Sequence, residues 1–194
     1  MSLTATRQRP LLALALALIA LLAVAATPAN ASRGGGHHGN YGATTLALDP
    51  AAVAALTGLG VTPAPIAPAR ALPSGELAFP IQNSLRNALR TGVIRHSGGI
   101  SLTAGGTTVN LERFIIDPAR GVLTARVGSA RVPILSLDFS HARIRFNGRR
   151  LAIGPVGGSL TEAAAGALNA AFGLAPGTVP AGLKLGDATV RYRL

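Results

Sequence analysis

Between Val93 and Ile153 the chain is cut repeatedly by turn signals: Gly98-Gly99, Gly105-Gly106, Asp117-Pro118 with Gly121, and Asn147-Gly148. Asn-Gly between two strand patterns is a strong hairpin signal, because both positions tolerate the positive φ that a tight reversal needs. The segments between these turns read as strands: Val93 to Arg95, Ile100 to Ala104, Thr107 to Ile116, Val122 to Val127 and Val132 to Phe139. Ala142 to Phe146 then pairs across Asn147-Gly148 with Arg149 to Ile153. In Thr107 to Ile116, Val109, Leu111 and Arg113 alternate against Asn110, Glu112 and Phe114, so that strand is partly two-sided. Leu183 to Leu194 closes the chain with Val190 and Tyr192 on one face and Arg191 and Arg193 on the other. Turn spacing of this kind predicts a mainly β domain, either an antiparallel β-sandwich or an incomplete barrel.

Two short capped helices accompany the strands. After a strand at Thr44 to Leu48, Asp49 caps a helix with Pro50 at its first position, and Gly58 or Gly60 ends it. Pro63, Pro65, Pro68 and Pro73 make Val61 to Pro73 an extended connector that cannot lie in a sheet centre. The second helix is predicted over Ser159 to Phe172, with Ser159 and Glu162 as a capping box and Gly173 as its stop. Leu160, Ala164, Ala167, Leu168 and Ala171 form its apolar face. Leu48 to Val61 resembles Leu160 to Leu174, either as a degenerate repeat or through shared Ala-rich composition.

The N-terminus reads as an export signal over residues 1–31. Arg7 and Arg9 precede an apolar run from Leu11 to Ala26, and Ala29-Asn30-Ala31 supplies a small-residue cleavage site. The run is shorter than the roughly 20 residues that span a bilayer comfortably. Residues 32–43 read as a Gly-rich linker and 44–194 as a single domain. No second spanning segment or sorting tail is read, so the expected location is secreted or cell-surface. The chain has no Cys, which fits an exported domain stabilised by burial alone and rules out thiolate metal sites. The formal charge is +11, and Lys184 is the sole lysine. Outside a cell that excess favours an anionic cell-wall polymer or another envelope protein as partner. Five Phe, two Tyr and no Trp make a poor stacking platform, so nucleic acid is not expected.

Few residues invite chemistry. His96-Ser97-Gly98-Gly99 places an imidazole where a strand turns, and the glycines leave it open to a ligand. Asp138, Ser140 and His141 invite a triad reading, but residues this close in sequence rarely converge, and no G-x-S-x-G elbow is present. His37-His38 lies in the Gly-rich arm and fixes no geometry. Asp49 and Glu162 are explained by helix starts and Asp117 by a turn, so no carboxylate pair is left for acid–base work. The chain is read as non-enzymatic. The arginines form strand-spaced pairs, Arg143 with Arg145 and Arg191 with Arg193, and Arg149 and Arg150 adjoin the first pair. These six make a candidate anion patch; a solvated outer face is the alternative.

The stretch from Gly92 onward resembles the HtaA domain of exported haem-uptake proteins in high-GC Gram-positive bacteria. Ile94 to Leu102 is similar to its strand–His–Gly–Leu motif, and Val109 to Asp117 to the next strand. Leu123-Thr124-Ala125-Arg126-Val127, Ile134 to Ser140, Leu160 to Ala165 with Phe172, and Leu183 to Val190 continue the series in order. The resemblance implies a β-rich extracytoplasmic domain in which a Tyr ligates haem iron, supported by the His that His96 matches. The family's N-terminal aromatic stretch is replaced by Phe79 to Gly92, which has no Trp or Tyr, leaving Tyr192 as the candidate partner of His96 and Tyr41 as the only other tyrosine. Two expectations follow: an exported HtaA-like protein of the envelope or medium without a strong cofactor site, or a haem-binding module using His96 and a Tyr, with arginines on the propionates.

Overall fold

A computed structural model describes residues 41–194. The expected signal segment, the His37-His38 pair and nearly all of the expected linker lie outside the described residues. All twelve strands belong to one sheet. They are β1 (Gly42–Leu48), β2 (Thr62–Ile66), β3 (Arg70–Ala71), β4 (Leu77–Pro80), β5 (Ile94–Arg95) and β6 (Gly99–Ala104), then β7 (Thr107–Asp117), β8 (Val122–Val127), β9 (Ala130–Asp138), β10 (Arg143–Asn147), β11 (Arg150–Leu160) and β12 (Lys184–Arg193). Three helices join them: α1 (Pro50–Gly58), α2 (Leu85–Thr91) and α3 (Glu162–Ala171). β1 thus starts within the expected linker, two residues before Thr44.

Every strand pairing is antiparallel, and the sheet curls into a nearly closed barrel rather than splitting into two layers. The path runs β7-β8-β9-β11-β12-β1-β4. A bridge between Ile81 and His96 then joins the end of β4 to the chain leaving β5, which itself pairs with β7. Ser97 N–H donates to Pro80 O at 3.0 Å and Gln82 N–H to Arg95 O at 2.8 Å across this seam. The Pro-rich strand β2 pairs only with β6, and β3 only with β4, so both sit at edges. That is where a proline's missing N–H costs least.

The two ends of the barrel differ. β1 and β11 finish beside the start of β12, so α1 and α3 sit at one end. Asp49 caps α1 by accepting from Ala51 N–H at 2.8 Å. α3 is capped by Thr161, whose Oγ1 accepts from Ala164 N–H at 3.1 Å. The expected box of Ser159 with Glu162 does not form. Ser159 and Leu160 still pair with Ser136 and Leu135 in the sheet, and that pairing holds them extended.

At the opposite end lie α2, Tyr192 and the β10–β11 turn. α2 is a third helix beyond the two expected. Ser84 Oγ accepts from Asn87 N–H, and Gly92 ends the helix in the left-handed conformation. Its apolar signal is weak because it buries only Ala88 and leaves Leu89 exposed.

A buried imidazole and an apolar cavity inside the barrel

The barrel encloses an apolar cavity of about 280 Å³. Its wall is built from alternate residues of successive strands, as the period of a strand requires. Leu46, Leu102, Leu111, Ile134, Val156 and Val190 are representative. Ala52 and Leu56 of α1 and Leu168 of α3 cover one end. Among the described residues no charged side chain lines the cavity; Thr44 and His96 line it through carbon atoms, their polar atoms being turned to each other and to the Phe114 carbonyl. Tyr192 belongs to a buried layer at the α2 end with Ile81, Ala88, Ile94, Ile116, Leu151 and Val190; Ile94, Ile116 and Val190 also line the cavity, and Tyr192 does not.

His96 is only 2% exposed. The seam places it there, and two glycines account for its surroundings. A Cβ on Gly98 would collide with Ala69 N and Ile66 O, and one on Gly99 with Leu111 O. The glycines therefore let the chain pack against itself behind His96, and the expected open approach for a ligand is filled by backbone. Phe114 O accepts both the His96 backbone N–H at 2.9 Å and its ring Nδ1–H at 3.2 Å. The Phe114 ring meets Phe79 edge-on at 5.2 Å. Burial pushes the imidazole down to about 4, outweighing the upward pull of its bond to the Phe114 carbonyl. His96 is thus neutral at pH 7. A carbonyl only accepts, so Nδ1 carries the proton and Nε2 holds a lone pair. Thr44 Oγ1, 2.7 Å away, donates to that lone pair.

Tyr192 is 1% exposed, and among the described residues its hydroxyl has no hydrogen-bond partner. Burial raises it to about 12. A buried hydroxyl without a partner costs stability. Tyr192→Phe is therefore expected to leave the protein as stable or to stabilise it by about 1 kcal/mol in urea unfolding. Destabilisation of that size or more would show that the hydroxyl is bonded.

Haem, which the HtaA resemblance implies, does not fit this arrangement. The Nε2 lone pair of His96 is taken by Thr44, Tyr192 does not line the cavity, and no cation lines it to meet a propionate.

The six predicted arginines do come together. Arg145, Ala152 and Arg191 are aligned across β10, β11 and β12, and Arg150 stands directly opposite Arg193. Arg143 extends the same outer face, and Arg149 occupies the turn between β10 and β11. Arg191 Nη1 also donates to Thr45 Oγ1 at 2.7 Å. Among the described residues the only ion pair is Lys184–Asp187, so none of these arginines meets a carboxylate. A second group was not read from the sequence. Arg131 Nη1 donates to Arg113 O, which a bulge in β7 leaves free, and to Thr124 Oγ1. Partial burial, then repulsion from Arg95, Arg126 and Arg113, lowers the Arg131 guanidinium below its usual value. Arg126 and Arg131 face each other across the β8–β9 hairpin, and the strand register brings Arg95 and Arg113 to them from farther along the chain.

Asp138, Ser140 and His141 form a surface turn. Asp138 Oδ1 accepts from Ser140 N–H at 2.9 Å, and Ser140 and His141 are exposed. Among the described residues no three potential metal ligands converge, and no helix is long and apolar enough to cross a membrane. No family model matches the chain, and no curated protein matches it significantly.

Proposed function

We propose that the protein is an exported, non-enzymatic binding protein whose barrel takes up a neutral, largely apolar molecule outside the cytoplasm. The observation that carries this reading is the uncharged cavity of about 280 Å³ with Thr44–His96 on its wall. An empty apolar cavity costs on the order of 20 cal/mol per Å³, so a fold that keeps this one open gains by filling it. The size is at the small end of ligand pockets. The wall chemistry sets the class: the cavity surface is wholly apolar, a carboxylate buried there would find no cation, and a single neutral polar group costs far less to desolvate. A medium-chain alcohol, or a neutral ester of similar length, satisfies that condition. The export signal and the resemblance to the HtaA domain support an extracytoplasmic setting, at the cell surface or in the medium. The cavity chemistry favours a neutral ligand over haem.

Native mass spectrometry with dodecan-1-ol, dodecanoate and hemin as probes tests the reading. One equivalent of the alcohol is expected to be retained in preference to the carboxylate, and hemin is expected to give no Soret shift. A Soret shift that His96→Ala removes would overturn the neutral-ligand reading in favour of haem.

A further inference from the structure

We propose that the β10–β11 hairpin docks the barrel onto an anionic lipid surface, beside a side opening of the cavity. The proposal rests on the cavity being a site for an apolar molecule, because docking there gives such a molecule a path that avoids water. The first observation is a gap in the wall. β8 pairs with β9 as far as Val122 with Ser136, Gly121 O accepts from Leu137 N–H one residue further, and β9 continues to Asp138. Beyond that point the strand beside β11 is β10, which among the described residues pairs with no other strand. Its other edge is not covered by any of the described residues. Pro118 in the β7–β8 turn and Phe139 just before β10 both line the cavity and both reach solvent.

The second observation is what β10 presents there. Ile144 lies opposite Ile153, which lines the cavity, and Phe146 lies opposite the buried Leu151. Directly paired residues share a sheet face. Ile144 and Phe146 thus continue the inner wall, yet each is 68% exposed. The other face of the same strand carries Arg143 and Arg145, next to Arg150, Arg191 and Arg193. No acidic residue occurs from Phe139 to Thr161 or from Ala188 to Leu194.

Charge and apolar exposure together select the occupant. An anionic polymer in solution would use the arginines and leave Ile144 and Phe146 in water. A lipid surface uses both: approaching by its free edge, β10 sets the two apolar side chains into the acyl boundary while the arginines reach sideways to headgroup phosphates. The Arg95–Arg113–Arg126–Arg131 group has the charge without the apolar pair, and serves as the internal comparison.

Flotation with phosphatidylglycerol-rich vesicles, with phosphatidylcholine vesicles, and in competition with soluble polyphosphate tests the proposal. The wild type is expected to float with the anionic vesicles and far less with the neutral ones. Ile144→Ser with Phe146→Ser, and separately Arg143→Gln with Arg145→Gln, are each expected to weaken binding by about tenfold or more. Arg126→Gln with Arg131→Gln is expected to change it little. Anionic-vesicle binding that survives the Ile144→Ser/Phe146→Ser change overturns the proposal, as does polyphosphate competing equally against wild type and that variant, which points to a soluble polyanion instead. Uptake of N-phenyl-1-naphthylamine in vesicle-free buffer separates the two readings. Uptake without vesicle binding overturns the docking proposal alone; vesicle binding without uptake overturns the cavity reading while supporting the docking surface.

Discussion

Acidification from pH 7 to pH 4 is expected to cost the barrel about 3 kcal/mol through His96 alone. The ordinary histidine value is 6.5, and burial brings His96 down to about 4 in the folded state. Between these values the unfolded chain takes up a proton that the folded chain refuses. Stability from this group is therefore complete above about 6.5, falls as the pH drops through the window, and levels off below about 4. Other groups titrate too, so the comparison is with His96→Leu. That variant is expected to be less stable at pH 7, because Thr44 and the Phe114 carbonyl lose their partner. Its stability should nevertheless vary less with pH, so the difference between wild type and variant shrinks as the pH falls. Urea unfolding at pH 7, 5.5 and 4 measures this. A difference that stays constant across the three would mean that His96 takes up its proton in the folded protein as readily as in the unfolded one.

Ala188 faces inward, pairing with Leu46 on β1 and with Val156 on β11, and all three line the cavity. Ala188→Phe places a ring in space that is otherwise unfilled. Overpacking a tight core costs about 1–3 kcal/mol, but a ring set into a void gains burial instead. The variant is expected to be at least as stable as the wild type and to lose affinity for an apolar probe by about a hundredfold. Loss of stability would mean that the interior at Ala188 is already full.

Much of the strand framework was legible because turn chemistry is local. Gly105-Gly106, Asn147-Gly148 and Asp117-Pro118 mark reversals whatever the rest of the chain does, and β8 falls on the segment read for it, residue for residue. α2 was missed because a seven-residue helix burying one alanine leaves almost no periodic signal; Ser84 and Gly92 at its ends were the available clues. The start of α3 was misplaced because Ser159 meets the capping pattern locally, while pairing with Ser136 keeps it in the sheet. The choice between sandwich and barrel depended on the Ile81–His96 bridge, a contact that no local pattern encodes.

The site was legible in its residues and not in its arrangement. His96 stands out in the sequence, but its hydroxyl partner Thr44 is 52 positions away and is brought to it by the closure of the sheet. Tyr192 was paired with His96 by elimination among two tyrosines. Strand alternation does turn it inward, yet it falls in the layer that closes the barrel end, outside the cavity lining. The arginine patch was readable because its pairs follow strand spacing. The meaning of its neighbours Ile144 and Phe146 was not, because a strand's alternation does not reveal that its inner face stays exposed among the described residues.

The most direct measurement of the central claim is a fluorescence titration of N-phenyl-1-naphthylamine into the wild type and Ala188→Phe side by side. Saturable binding of one probe per wild-type molecule is expected, and its loss in a folded Ala188→Phe protein. Equal binding by the two proteins, or no saturable binding by the wild type, would contradict it.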